Sequence, residues 1–200
     1  MSDDKTTPSN RFKKNLLTLF TIVEDMYEEG INNGVVEEEK INIILPAIKI
    51  YISTKNSDTM INRWIKKTYE HWHKIKEKDI RYFQDIGLRI FNIIQDKGLD
   101  RLKEEDEDYQ GDGFMKQVSD GQVSGFKKLL QGEYEYDGDK YKIFNEETES
   151  LIWEIMHSFV KISICYIHET RRIIEGEPTV DCFMNIDVQE MATEWGVRSI

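Results

Sequence analysis

Apolar residues recur at helical spacing through the first hundred residues, and this periodicity constrains the fold more than any other feature. In residues 9–30 the apolar side chains follow steps of three and four. Because one helical turn takes 3.6 residues, such steps place the side chains on one face of a helix. We predict a second helical stretch over about 35–53 and a third from near Ser57 to about Gly98, broken around 77–79. The three prolines in 200 residues permit long helices.

The predicted ends of the first two helices rest on residues with known positional preferences. Ser9 is a candidate N-cap of the first helix, and Gly30 is a candidate stop. Glu37, Glu38 and Glu39 suit the first turn of the second helix, where the helix dipole favours anions. Proline removes an amide donor, so Pro46 is expected to kink or split the second helix.

The segment 133–144, EYEYDGDKYKIF, predicts a β-hairpin. Asp137-Gly138 is a preferred pair for a type I′ turn, in which both central residues need positive φ. A two-residue turn sets three cross-strand pairs, namely Glu133 with Lys142, Tyr134 with Tyr141, and Glu135 with Lys140. One face then carries two opposite-charge pairs and the other face carries an aromatic pair, an arrangement that stabilises a hairpin.

The C-terminal part reads as a long helix over about 147–174, ended by Gly176 and Pro178, and then a short helix. Asp187 with Glu190 forms a relative of the capping box at the start of that short helix. The predicted fold class is therefore mainly α, a helical bundle of four to six helices with one β-hairpin (about 133–144) inserted before the last long helix.

Composition divides the chain into four parts. Residues 1–8 are expected to be a disordered tail, and 9–98 the N-terminal helical part. Residues 99–132 form an acidic connection that is interrupted by several glycines. We expect the hairpin, the long helix and the short C-terminal helix, within 133–200, to pack on the same core.

The N-terminal residues and the cysteine count indicate an intracellular, cytoplasmic protein. The start, MSDDKTTPSN, has no apolar segment of a signal peptide. The most apolar stretch, 151–167, is interrupted by Glu154, His157 and Lys161, so we expect no membrane insertion. The two cysteines, Cys165 and Cys182, are too few for a disulfide framework and are expected to pack as small apolar residues.

Two Glu-x-x-His pairs, Glu70/His73 and Glu154/His157, resemble in spacing the ligand pairs that helical bundles use for metals. Lysines lie one turn away from each pair, and a lysine repels a divalent cation. We therefore interpret both pairs as solvent-facing and expect no metal and no cofactor. Common phosphate, dinucleotide, zinc-protease and hydrolase motifs do not occur in the sequence, so no catalytic residue is proposed.

The acidic run 104–112 resembles a calcium-binding loop in part, with Asp106, Asp108 and Asp112 in place. It departs from that loop at three positions: Gln110 stands at the fifth position, Gly113 stands where an aliphatic residue is usual, and Gln117 stands where a bidentate glutamate is required. We interpret the run as a solvated acidic loop, and weak calcium binding there stays open.

The segment 63–81 is basic, with seven cationic and three anionic side chains and thus a balance of +4 in a chain of net charge −11. Its aromatic residues are Trp64, Tyr69 and Trp72, and Tyr82 follows. If the rings were exposed, they could stack on the bases of a nucleic acid while the lysines bind its phosphates. Because Trp64 and Trp72 fall on the apolar stripe, we favour the alternative that the tryptophans are core and the lysines are solvated.

The combination of an amphipathic C-terminal segment, a tyrosine-rich hairpin and regions of opposite charge favours a non-enzymatic protein–protein interaction or structural, assembly protein. The partner is another protein or a second copy. The candidate partner-binding residues are Arg63, Lys66, Lys67, Lys74, Lys78, Tyr134, Tyr136, Tyr141 and Trp195. Isoleucine occurs 26 times and alanine twice, a bias that suits AT-rich genomes, including those of large DNA viruses.

One version of this hypothesis is a component of a larger viral particle, which would place the protein inside the virion. Nucleic-acid binding through 63–81 ranks second among the functions. An enzyme whose site is assembled from scattered residues ranks third.

Overall fold

The structure, a computed structural model, describes residues 7–36, 44–81, 132–173 and 186–197, with the backbone alone for 44–48 and 171–173. Its elements are α1 (Pro8–Asn32), α2 (Ile44–Thr54), α3 (Ser57–Thr68), a 3₁₀ turn (Tyr69–His71), α4 (Trp72–Lys76), β1 (Glu133–Tyr136), β2 (Asp139–Lys142), α5 (Glu146–Ile173) and α6 (Val188–Trp195). The predicted fold class is confirmed: the protein is mainly helical, with a hairpin before the last long helix.

Several predictions lie outside the described residues. They are most of the tail 1–8, the glutamates 37–39 of the second predicted helix, the second half of the third predicted helix, the acidic connection 99–132 with its calcium-like run, the stop at Gly176 and Pro178, and the packing of Cys182. The four-part division of the chain stays a prediction.

Both ends of α1 differ from the predicted ends. The helix begins at Pro8 rather than after a cap at Ser9, because proline is preorganised for the first helical position. It ends at Asn32 rather than at Gly30. Gly34 adopts φ +70°, and the amides of Gly34 and Val35 bond back to the carbonyls of Ile31 and Gly30 at 3.0 and 2.8 Å. This pair of bonds is the Schellman motif, for which glycine is the favoured residue.

Helix α2 corrects the prediction of a helix over 35–53. Val35 and Val36 belong to the turn after α1, and α2 begins at Ile44. Pro46 is therefore the third residue of the helix and neither kinks nor splits it. The first turn of a helix has no carbonyl partner for its amides, so the missing proline donor costs nothing there.

Helix α3 begins where the sequence predicted, and the chain breaks again near the predicted position. The Asn56 side chain accepts hydrogen bonds from the amides of Asp58 and Thr59 at 2.8 and 3.1 Å, which caps α3. The 3₁₀ turn at 69–71 then interrupts the helical stripe, which the periodicity did not indicate. Helix α4 ends at Lys76, and Lys78 has φ +53°, so the predicted break around 77–79 is confirmed.

The hairpin has the predicted turn and register. Strands β1 and β2 pair antiparallel, with Tyr134 opposite Tyr141 and Tyr136 opposite Asp139. Asp137 and Gly138 have φ values of +53° and +86°, the positive angles that a type I′ turn requires. Glu133 pairs with Lys142 and Glu135 with Lys140, also as predicted.

The two C-terminal helices are confirmed. Helix α5 spans 28 residues, and α6 is capped by Asp187, whose carboxylate accepts from the amides of Gln189 and Glu190 at 3.1 and 3.0 Å. The buried residues of α5 include Trp153, Phe159, Val160, Ile162, Ile164 and Ile167.

The chain divides into two compact units. Unit 1 comprises Met1–Leu19, Ile52–Glu77 and Leu151–Ile200. In its core three rings meet: the Phe159 centroid lies 4.6 Å from that of Phe12 and 5.1 Å from that of Trp64. Unit 1 also contains buried residues from α3, α4, α5 and α6, including Ile61, Ile65, Trp72, Ile75, Val160, Ile164, Ile167, Val188 and Ala192.

Unit 2 comprises Phe20–Tyr51 and Lys78–Ser150. Its described core joins the second half of α1 to the hairpin and is built on Met26, Tyr27, Val36 and Ile143. Burial raises the pKa of Tyr27 to about 12, since the apolar surroundings disfavour the phenolate. The hairpin is thus fixed to α1 by apolar packing at the base of β2.

The three-ring cluster should dominate the stability of unit 1. Phe159→Ala leaves a cavity among Phe12, Trp64 and the aliphatic core, and we expect a loss of about 3–5 kcal/mol in the free energy of unfolding. Leu151→Ala on the same helix is the control, because Leu151 is 45% exposed and the change should stay within about 0.5 kcal/mol. Urea denaturation of both variants measures the difference, and similar losses would contradict the assignment of Phe159 to the core.

Candidate functional site

Among the described residues, the aromatic side chains that are clearly exposed, Tyr136 and Tyr141, both lie on the hairpin. Tyr136 is 68% exposed and Tyr141 is 43% exposed. Tyr141 stacks on Tyr134 across the strands, with ring centroids 5.6 Å apart and planes inclined by 22°. Because alternate residues of a strand share a face, Tyr134, Tyr136, Asp139 and Tyr141 lie on one face of the hairpin, here called the tyrosine face.

The inner end of the tyrosine face is attached to α1. The Tyr134 hydroxyl donates a hydrogen bond to the Glu29 carboxylate at 2.8 Å, and the Tyr134 ring packs on the core of unit 2. The bond to Glu29 raises the pKa of Tyr134, and partial burial adds to the rise. Both contacts hold the hairpin against α1, so Tyr136 and Tyr141 lie on strands whose position relative to α1 is fixed.

The opposite face of the hairpin carries charge of both signs. Glu133, Glu135, Lys140 and Lys142 alternate with the tyrosines along the strands, and all four are exposed. The Lys142 ammonium lies 3.8 Å from the Glu133 carboxylate. Both lysines of the hairpin strands are thus on this face, whereas the one charged residue of the tyrosine face is Asp139.

The second candidate surface lies on α3 of unit 1. Arg63, Lys66 and Lys67 are exposed and form what we call the basic surface; Lys78, which is counted in unit 2, is also exposed. Lys74 is half-buried, with its ammonium 3.5 Å from the Glu77 carboxylate. The neighbouring Lys76 pairs with Glu194 at 2.9 Å. These ion pairs reduce the positive charge that this part of unit 1 offers to an incoming anion.

The tryptophans of the same segment face inwards. Trp72 is 1% exposed, and its indole donates to the Thr68 hydroxyl at 3.0 Å. The half-buried Trp64 ring contacts Phe12 and Phe159. Tyr69 meets Trp72 edge-on at 5.3 Å. The basic surface therefore has its cations outside and its tryptophans in the core, as the apolar stripe predicted.

Trp195, a candidate partner-binding residue in the sequence, is buried. It is 6% exposed and meets the His157 ring edge-on, with centroids 5.6 Å apart. Helix α6 turns its Val188, Ala192 and Trp195 side into unit 1, so the Trp195 ring is part of the core and not of its surface.

His157 corrects the interpretation that both Glu-x-x-His pairs face solvent. Glu70, His73 and Glu154 are exposed, but His157 is half-buried, and its Nε2 donates to the Ile75 carbonyl at 2.8 Å. This contact depends on how α5 packs on α4, which local spacing does not encode. In the four described ranges, no three His, Cys, Asp or Glu side chains come close enough together to hold a metal ion.

Helix α5 has two further properties that bear on function. Residues Glu146–Thr170 are long and apolar enough to cross a membrane, a test that the core helix of a soluble protein also passes. The absence of membrane insertion stays a prediction.

Cys165 is a half-buried free thiol, and burial raises its pKa, which lowers the fraction of reactive thiolate.

The spacing of apolar residues in the sequence gives no information about several polar side-chain contacts that the structure shows. Lys13 donates to the carbonyls of Ser53 and Lys55 at 2.7 and 2.9 Å, at the end of α2. Asn15 donates to the Ser158 hydroxyl at 2.7 Å. Glu29 and Asp139 complete the polar part of the tyrosine face. The hairpin register already places Asp139 opposite Tyr136, whereas no local signal connects Glu29 with a residue 105 positions away.

Comparison with protein-family models, with curated proteins and with solved structures finds no match to this chain.

Proposed function

We propose that this protein is a non-enzymatic protein–protein interaction or assembly protein and that the tyrosine face is its principal contact surface. The observation that carries the proposal is the exposure of Tyr136 and Tyr141, which are diagonal neighbours across the strands, on a hairpin that is fixed to α1. Tyrosine is enriched at protein interfaces, because it joins a large apolar ring to a polar hydroxyl.

The way the hairpin is held supports the same conclusion. Binding costs free energy when loops and side chains must be ordered, and a surface that is already ordered avoids part of that cost. The bond between Tyr134 and Glu29, the stack of Tyr134 on Tyr141 and the buried Ile143 together fix the strands. A partner would therefore meet rings whose positions are largely set before contact.

The proposed setting is inside the cell, and the partner is another protein or a further copy of this chain. In the viral version of the proposal, the protein is one component of a larger particle and lies inside the virion. An enzyme built from dispersed residues is the third alternative, since its site would need no sequence motif.

The second candidate function is nucleic-acid binding, and the exposure of Arg63, Lys66 and Lys67 is the observation that favours it. Two observations weigh against it. Trp72 is buried, so its ring does not offer a stacking surface to a base. Outside 63–81 the chain carries a net charge of −15, since the total is −11 and the segment supplies +4, and this charge repels a polyanion.

Site-specific photo-crosslinking tests the first candidate. Benzoylphenylalanine in place of Tyr136 keeps an aromatic ring at the exposed position and reacts with a bound neighbour. We expect a discrete covalent adduct in cells that express the protein. The same residue in place of Leu151, which is 45% exposed on α5, is the control and should give no such adduct. Equal labelling from both positions, or none from position 136, would refute the tyrosine face as the contact surface.

A gel-shift titration at two salt concentrations tests the second candidate. Four to six phosphate contacts on duplex DNA imply a slope of about −4 to −5 in log K against log salt. We expect no shift of mixed-sequence DNA or RNA at physiological ionic strength. The matched variants are Lys66→Glu/Lys67→Glu and Lys140→Glu/Lys142→Glu, which change the net charge equally. Micromolar binding that the first variant loses and the second keeps would make nucleic-acid recognition the better answer.

A further inference from the structure

The two faces of the hairpin differ in charge as well as in aromatic content. Lys140 and Lys142 lie on the face opposite the tyrosines, where Glu133 and Glu135 accompany them. On the tyrosine face, Asp139 stands directly across from Tyr136, and the Glu29 carboxylate of α1 accepts the Tyr134 hydroxyl. The tyrosine face thus combines exposed ring surface with carboxylates, and no hairpin cation lies on it.

This combination suits a positively charged ligand group. The face of a tyrosine ring carries negative electrostatic potential and attracts a cation placed over it. A nearby carboxylate adds a charged hydrogen-bond acceptor. The exposed rings of Tyr136 and Tyr141 are diagonal neighbours across the strands, since Tyr136 pairs with Asp139 and Tyr141 lies two residues further along β2. At that spacing one planar cationic group can reach both rings and the Asp139 carboxylate.

We propose that the tyrosine face binds an arginine-bearing segment of a basic partner protein, with a guanidinium seated against Tyr136 and Tyr141 and hydrogen-bonded to Asp139. The inference rests on the proposed function and specifies the chemistry of its partner. Arginine fits better than lysine, because its planar guanidinium stacks on aromatic rings and donates two parallel bonds to a carboxylate. The net charge of −11 attracts a basic protein from a distance and repels a second copy of this chain.

The hairpin edges are less suited to docking than its tyrosine face. Both strands have four residues, and β2 carries Lys140 and Lys142, a combination of shortness and charge that discourages an added strand. The partner is therefore expected to bind through its side chains on the tyrosine face rather than through a new β-ladder. Docking through side chains on the tyrosine face and addition of a β-strand to a hairpin edge are therefore distinguishable in the experiment below.

Titration of the full ¹⁵N-labelled chain with a short Gly/Ser peptide that carries two arginines tests the proposal. At physiological ionic strength we expect saturable amide shifts confined to 134–141 and to the neighbourhood of Glu29. Tyr136→Leu keeps an apolar side chain but removes the ring, and should weaken binding about twofold to fivefold. Asp139→Asn should weaken it by a similar factor of about two to five.

The matched control is Glu135→Gln, because it removes one hairpin carboxylate from the opposite face. It should leave the affinity unchanged, and so should substitution far from the hairpin. A peptide with citrulline in place of arginine keeps the shape and loses the charge, and should not bind. Equal effects of Glu135→Gln and Asp139→Asn, binding of the citrulline peptide, or shifts spread over other acidic segments such as 104–108 would each overturn the proposal.

Two further outcomes separate this inference from the proposed function. If the arginine peptide does not bind while the photo-crosslink from position 136 still forms, the arginine proposal fails and the interaction surface stands. If neither occurs, both fail. Sedimentation velocity can also show self-association of the chain that Tyr136→Leu abolishes. That result would overturn the basic partner protein and identify the basic surface of a second copy as the occupant.

Discussion

Unit 1 depends on the packing of three aromatic rings that come from distant parts of the sequence. Phe12 of α1, Trp64 of α3 and Phe159 of α5 meet with centroids 4.6–6.0 Å apart, within the range of favourable ring contacts. This contact fixes which side of α3 faces the core. Ile61 and Ile65 of α3 are fully buried, and Arg63 and Lys66 project from the side of α3 that is turned away from them. The exposure of these two cations therefore follows from the packing of α3 on its apolar side and needs no ligand to explain it.

Unit 2 uses its aromatic residues differently. In the hairpin the turn at Asp137-Gly138 sets the register, and the register sets the face on which each tyrosine lies. Tyr134 is held by Glu29 and by the core around Ile143, whereas Tyr136 beside the turn and Tyr141 across from Tyr134 are exposed to water. Trp72 of unit 1 is thus buried, whereas Tyr136 and Tyr141 of unit 2 are exposed.

Local signals in the sequence predicted the features that depend on neighbouring residues. The hairpin register, the Asp187 cap and the break near residue 77 follow from turn and capping chemistry within a few positions. The predictions that failed concern which of several nearby residues begins or ends a helix, or contacts between residues that are distant in the sequence. Gly34 rather than Gly30 ends α1, and α2 begins late enough for Pro46 to lie in its first turn. The half-buried His157 meets the buried Trp195 ring and bonds to Ile75 of α4, contacts that periodicity on a single helix cannot reveal.

The most direct test of the division between buried and exposed tyrosines is nitration by tetranitromethane. Peptide mass spectrometry shows which tyrosines are modified. Nitration needs an accessible phenolate. Tyr27 and Tyr166 are each 7% exposed, and burial raises the pKa of both, whereas Tyr136 is 68% exposed. We expect rapid modification of Tyr136 and Tyr141 and protection of Tyr27 and Tyr166 until the protein unfolds. Modification of Tyr27 as fast as Tyr136 in the native protein would contradict a hairpin that is packed on α1 with its outer tyrosines free.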